Sequence, residues 1–212
     1  MSYNRVKSCE AIGRAWYRRA RGGVLIALLA AVGATGCGDP VGIDANYETA
    51  TASVSLYRLN GTAPERPAGV LLASVPQAVR LTADYSFDFA VDFDASGGAR
   101  LIPLQRIASP VVLTPNRAVG FQRAADDFDS LLRAPNSGYN FDEDLPVTTG
   151  DVGFIESRNH PFCANIFFAY SFTIYAKFVV EAVDPAAGTV RLKIMVDPNC
   201  GFRGLETGTP TR

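Results

Sequence analysis

IYAKFVVEAVDPAAGTVRLKIMVD, Ile174 to Asp197, decides the fold class. Ile174, Ala176, Phe178, Val180 and Ala182 fall on one side of an extended chain, and Val190, Leu192, Ile194 and Val196 take the same side on the return. Period two is the signature of a half-buried strand, so the stretch reads as a β-hairpin. Its parity is fixed, because a one-residue slip would carry charge into the core. Among registers of that parity, Val180 opposite Ile194 also sets Glu181 against Lys193 and Lys177 against Asp197, and opposite charges across strands are stabilising. That register leaves Ala186, Ala187 and Gly188 as a three-residue loop, with Gly188 supplying the positive φ such loops need.

The same period recurs upstream. Ala50, Ala52, Val54 and Leu56 alternate with polar neighbours until Asn60-Gly61 turns the chain, and Pro64 and Pro67 extend the break. Short strands are expected at Val70–Ala73 and Val79–Leu81, on either side of Pro76. Phe87, Phe89, Val91 and Phe93 oppose Asp88, Ala90, Asp92 and Asp94, which predicts an amphipathic strand with an aromatic row in the core. Ala95–Gly98 turns it into Ala99–Leu104, where Pro103 marks an edge or an end. Val111–Leu113 and Val119–Gln122 are further strand candidates. Phe128, Leu131 and Leu132 stand at helical spacing, so 126–133 reads as a two-turn helix with an aspartate cap, stopped at Pro135. Polar Asn136–Pro146 reads as a surface loop and Val147–Glu156 as a strand broken at Asn159-His160-Pro161. Ile166–Phe172 is apolar enough to be buried on both sides. No repeat with a period of 20–50 residues is visible. The chain is therefore expected to be all-β, an antiparallel sandwich or partly open barrel with one short helix near 126–133.

The N-terminus is of another kind. Arg5, Lys7, Arg14, Arg18, Arg19 and Arg21 face the single acid Glu10, and then Val24–Val32 is uncharged and apolar. A basic segment, a short apolar run and small residues after it form the pattern of a secretory signal peptide. The run Gly22–Gly36 is too short to span a bilayer, which needs about 20 apolar residues. The small residues end as Ala34-Thr35-Gly36-Cys37, which resembles the lipobox of bacterial lipoproteins, with Ala34 where that family usually carries leucine. The resemblance implies cleavage before Cys37, acylation of its sulfur, and membrane attachment through several chains. At about 0.8 kcal/mol per buried methylene, such an anchor is effectively permanent. It implies the outer membrane too, because Gly38 stands where aspartate favours inner-membrane retention. The expected organisation is a signal peptide over 1–36, a lipidated tether over 37–46 and a single β-rich domain over 47–212.

Cleavage there would take six of the 20 basic residues and one of the 21 acidic ones, leaving 14 against 20. An acidic mature chain has no electrostatic footprint for nucleic acid. It would also leave Cys163 and Cys200 as a pair, which in an oxidising compartment reads most simply as a disulfide.

Motifs for chemistry are sparse. Asp92, Asp94 and Ser96 match the first half of a calcium loop, but its closing glutamate position is Pro103, and a polar hairpin turn explains the same residues. Asp142, Glu143 and Asp144, with Asp151, are candidates for paired carboxylates in an envelope hydrolase or for a solvated loop. His160, the single histidine, could be a base or ligand, though between Asn159 and Pro161 it reads as an exposed loop residue. No G-x-S-x-G nucleophile motif occurs. Asp197–Arg203 is dense in special residues. A tight turn with Phe202 packed back on the core accounts for it, and a binding surface on Asn199 and Arg203 is the sharper reading. The Tyr175–Val180 strand and its return resemble the C-terminal hairpin of HmuY-type haem-binding lipoproteins, which are all-β. Haem capture in that family uses axial histidines, and Met195 is expected to face out. The sequence thus points to a lipid-anchored envelope protein with a binding or structural role toward a protein, glycan or small ligand. No cofactor is called for, and a hydrolase or a haem or metal scavenger is the alternative.

Overall fold

Period-two segments become strands where the chain can cover one face of each. A computed structural model describes residues 44–81, 86–107, 116–166, 169 and 171–210. The expected signal peptide, Cys37, most of the expected tether and the Val111–Leu113 strand candidate lie outside the described residues. Ile43–Arg212 is one compact unit. Its strands are β1 (Ala50–Tyr57), β2 (Gly69–Leu71), β3 (Gln77–Val79), β4 (Phe89–Phe93) and β5 (Ala99–Pro103), followed by a one-turn helix α1 (Leu104–Ile107). Next come β6 (Ala118–Ala124), β7 (Leu145–Val147), β8 (Val152–Arg158), β9 (Ile174–Asp184) and β10 (Thr189–Asp197).

Two antiparallel sheets, β1-β10-β9-β8-β6 and β3-β2-β4-β5-β7, form a β-sandwich rather than a closed barrel. Their inner faces meet in a core of Val54, Leu56, Phe89, Val91, Leu101, Phe121, Ile155, Phe178, Leu192 and Ile194 with their neighbours. The Phe89 and Phe121 rings meet edge to face across the layers at 5.5 Å. Gly153 is opposite Phe178 on the paired strand. A Cβ on Gly153 would lie 2.7 Å from that ring and 2.5 Å from the Gln122 carbonyl oxygen, so only glycine lets the ring lie flat there.

The hairpin forms with a different register. Asp184 pairs with Thr189, so the connection has four residues, and the Asp184 side chain accepts the Ala187 N–H at 2.9 Å to close it. A bulge at Glu181 then shifts the pairing by one more residue, and Ile194 faces Phe178 instead of Val180. The two offsets add to two residues, which preserves the parity set by the apolar rows. Beyond the bulge the faces exchange: Ala182 is exposed and Val183 packs on the core. Glu181 consequently pairs with Arg191 at 2.6 Å, not with Lys193.

Three other expectations change because the outer face of the larger sheet is covered. The helix expected over 126–133 is a single 3-10 turn, Phe128–Ser130, with no side-chain cap from Asp127. The chain then extends so that Ala134 N–H bonds the Arg203 carbonyl and Leu205 N–H bonds the Leu132 carbonyl. This strap buries Phe128, Leu131, Phe154, Met195 and Leu205 in a second cluster, so Met195 does not face out. Lys177 is buried beneath it, donating to the Leu131 carbonyl at 2.9 Å with its ammonium over the Phe128 ring. In Ile166–Phe172 the described side chains are not buried on both sides: Phe172 is 53% exposed. The Cys163–Cys200 disulfide is present, with 5.8 Å between Cα atoms. Cys163 lies in a second 3-10 segment, Pro161–Asn165, and the bond ties the tail after β10 to the chain entering β9.

Candidate functional site

The end of the sandwich away from the disulfide carries a cleft of about 480 Å³. It is lined by Asp94, Arg100, Arg123, Asp144, Thr148 and Asp151 together with the backbone of the β4–β5 and β7 segments. The β4–β5 turn supplies Asp94, whose Oδ1 accepts from Ser96 N–H, Ser96 Oγ–H and Gly98 N–H at 2.8, 2.6 and 2.9 Å. The Ser96 hydroxyl, these N–H groups and the Arg100 charge hold the Asp94 carboxyl below its usual pKa. Arg100, on β5, reaches Asp144 at 3.2 Å and Asp92 at 3.5 Å. Arg106 of α1 takes the other Asp144 oxygen at 2.6 Å. Arg123, at the end of β6, donates to Asp151 at 2.8 Å and to the Pro146 carbonyl, which joins the edges of the two sheets. Burial pushes the Asp151 pKa up, but the Arg123 and Thr148 hydrogen bonds outweigh it and the net shift is downward.

Asp144 and Asp151 therefore do meet in one cleft, while Asp142 and Glu143 stay in the loop before β7. Asp94 and Asp151 are held ionised, the opposite of what a general acid requires. The half-loop for calcium is occupied by the protein itself: Asp94 caps a turn, and Asp92 accepts from Asn60 and faces the Arg100 cation. Among the described residues no group of three His, Cys, Asp or Glu is placed to hold a metal ion.

His160 is not an exposed loop residue. It is 2% exposed, at the opposite end of the sandwich, and its Nε2 lies 3.1 Å from Asp88 Oδ2. Its Nδ1 accepts the Phe162 N–H at 3.1 Å, which assigns the proton shared with Asp88 to Nε2. Asp88, fully buried just before β4, also accepts from Ser157 Oγ and from Leu72 N–H, both at 2.6 Å, with Arg117 at 3.7 Å. Burial would raise its pKa, but the His160 imidazole bonded to it, with the Arg117 cation and the Ser157 hydroxyl, lowers it. The aspartate sits at the centre with the serine and histidine both bound to it, so no hydroxyl is aligned with the imidazole for nucleophilic attack. The cluster is a buried polar tie between β4, β8 and the end of β2. The segment read from Phe87 to Asp94 is thus not polar on one face in the simple sense its alternation predicts, because Asp88, just before β4, and Asp92, within it, are both buried.

Asn199 and Arg203 both bond within the fold. Asn199 is 5% exposed; its side chain accepts from Asn46 and Tyr47 N–H and donates to the Tyr47 carbonyl and to Asp197. It clips the incoming chain beside the disulfide. Arg203 reaches the Ala134 carbonyl at 3.4 Å, within the strap. What sequence reading missed was the pairing of Arg100, Arg106 and Arg123 with the carboxylates. Their spacing along the chain carries no periodic signal, and only the sheet order brings them together. No family model matches this chain, and neither curated proteins nor solved structures give a match to it.

Proposed function

We propose that this protein is a lipid-anchored envelope protein, held at the outer membrane through Cys37, that presents a polar binding cleft to the space beyond. The observation that carries the reading is the polarity of the sandwich. The described chain enters beside Asn199 and Cys200, and the arginine–carboxylate cleft opens at the far end. A tether leading into Asn46 would join the domain at the end opposite the cleft. The disulfide supports residence in an oxidising compartment. The lining sets Arg100 and Arg123 against Asp94, Asp144 and Asp151, so donors and acceptors alternate with little net charge. That chemistry fits a hydroxyl-rich ligand such as an envelope glycan better than a polyanion. Asp94 is engaged by its own turn and Asp151 by Arg123 and Thr148, which argues against either serving as the general acid of a hydrolase.

Labelled palmitate fed to a diderm host expressing the full chain tests the anchor: label should enter the wild type and be lost from Cys37→Ala. A Cys37→Ala protein that remains equally membrane-bound refutes it. For the cleft, binding of the purified protein to an array of envelope glycans should fall at least tenfold in Arg123→Ala, and unchanged binding refutes the site.

A further inference from the structure

Among the described residues, Arg100, Arg106, Arg117, Arg123, Arg158 and Arg191 each meet a carboxylate. Arg58 and Arg66 meet none, and the Arg58 guanidinium has no hydrogen-bond partner among the described residues either. The two line one hollow of about 200 Å³, formed by the β1–β2 connection and Leu81. Its other walls include Leu59, Thr62 and Pro64, and it shares no residue with the arginine–carboxylate cleft. No acid lines it: Glu65, although next to Arg66 in sequence, is not among its walls. Both arginines are fixed before any ligand arrives. The Tyr57 N–H bonds the Pro67 carbonyl and the Arg58 N–H bonds the Gly188 carbonyl, both at 2.8 Å, and the Arg66 N–H bonds the Ala63 carbonyl at 3.0 Å, so the connection is closed on itself. The Arg66 guanidinium stacks on the Tyr57 ring at 4.6 Å and its Nη1 donates to the Tyr57 hydroxyl at 2.6 Å. Arg58 lies against the β9–β10 turn, its Nε 2.7 Å from where a Cβ on Gly188 would stand.

We infer that this hollow is a second binding site, independent of the anchor and of the cleft, and that it takes a phosphate group. Two cations lining one hollow without a counter-charge repel each other, and a bound anion removes that cost. The charge count selects phosphate over carboxylate. A phosphate monoester carries about −1.5 to −2 near pH 7, which matches both guanidiniums, whereas a carboxylate neutralises one. Guanidinium N–H groups also match phosphate oxygens in geometry, and Arg66 keeps its Nε and Nη2 without a partner after its bond to Tyr57. Thr62 is the one hydroxyl-bearing residue of the lining, and the apolar walls Leu59, Pro64 and Leu81 strengthen the attraction by displacing water. The volume limits the occupant. It is below the roughly 300 Å³ at which pockets for whole drug-sized ligands begin, so one phosphoryl group enters and any body it is attached to stays outside. The source of that group is either free inorganic phosphate or the phosphoryl end of a phosphorylated sugar.

The experiment is calorimetric titration of the purified full-length protein, in phosphate-free buffer of low ionic strength, with inorganic phosphate and with glucose 1-phosphate in turn. At least one should saturate with a Kd on the order of 1 mM or tighter. Arg58 and Arg66 are exposed, so Arg58→Gln and Arg66→Gln should keep the fold by circular dichroism, and each should weaken binding at least tenfold. Glucuronate, which offers a carboxylate on the same kind of body, should bind at least tenfold more weakly than glucose 1-phosphate. Tighter binding of glucose 1-phosphate than of inorganic phosphate assigns the site to a phosphorylated saccharide, and equal or weaker binding assigns it to the free ion. The inference is overturned if neither phosphate saturates the wild type, if glucuronate binds as well as glucose 1-phosphate, or if the Arg58→Gln, Arg66→Gln double variant binds like wild type. Loss of phosphate binding in Arg123→Ala, with retention in that double variant, would place the ion in the cleft and also overturn it.

Discussion

Asp88→Ala is the sharpest probe of how the two sheets are held together. The carboxylate is fully buried and serves the Ser157 hydroxyl, the Leu72 N–H and the His160 ring, with Arg117 beside it. Truncation leaves these donors without their acceptor in a space closed to solvent. Removing one member of a buried charged cluster costs about 3–5 kcal/mol, a large share of the 5–15 kcal/mol typical of a whole domain. With a urea slope of about 2 kcal/mol/M, the unfolding midpoint should fall by about 2 M with the slope unchanged. Asp88→Asn should cost less, about 1–3 kcal/mol, because one oxygen remains and the Ser157 hydroxyl can rotate to accept from the amide. The acid limb supplies a second reading. The folded-state pKa of Asp88 lies below 3.8, so its contribution is complete above that value and is lost as pH falls through the folded one. Both variants should lose that part of the acid dependence. If Asp88→Ala unfolds within 1 kcal/mol of wild type, the reading of Asp88 as the inter-sheet tie is wrong.

The Cys163–Cys200 disulfide closes a loop with a sequence separation of 37, which the chain-entropy relation converts to about 4 kcal/mol. The Cys163→Ser, Cys200→Ser double variant should lose close to that in denaturant titrations, and a loss under 1 kcal/mol would show that the loop is constrained without it. Asp197 is buried with Oδ2 unpartnered, and burial, partly offset by the Asn199 hydrogen bonds, pushes its pKa to about 6. The folded state therefore binds the extra proton between about pH 4 and 6, and this contribution to stability falls as pH rises through that window. Asp197→Asn should be more stable than wild type by about 1–3 kcal/mol at pH 8 and no more stable at pH 4, measured as a pH series of thermal melts; a pH-independent difference would contradict the assignment. Gly153→Ala forces the Phe178 ring and the Gln122 carbonyl apart and should cost about 1–3 kcal/mol, checked by the urea midpoint; a neutral substitution would mean the sheet relaxes at no cost.

Alternation was enough to read most of the strands, two of the hairpins and the all-β class, with sandwich and partly open barrel both left open, because a strand that buries one face must repeat every two residues. It also supported the hairpin parity, while the pairing of Cys163 with Cys200 was read from their being the two cysteines left in an exported chain. Register was harder to read. The four-residue turn depends on the Asp184 side chain bonding Ala187 N–H, and the bulge at Glu181 depends on its ion pair with Arg191 on the neighbouring strand. Alternation cannot see either contact, since together they restore the parity of the apolar rows. Burial of polar groups was invisible for a related reason. Asp88, His160, Lys177 and Asn199 look like surface residues one at a time, and each is covered by a segment distant in sequence that supplies its hydrogen bonds. The cleft belongs to the same class: its arginines and carboxylates are scattered from Asp94 to Asp151, and only the sheet order sets them side by side. Local pattern fixes which way a side chain points, whereas the tertiary fold decides what it meets there, because desolvation and ion pairing depend on neighbours in space rather than along the chain.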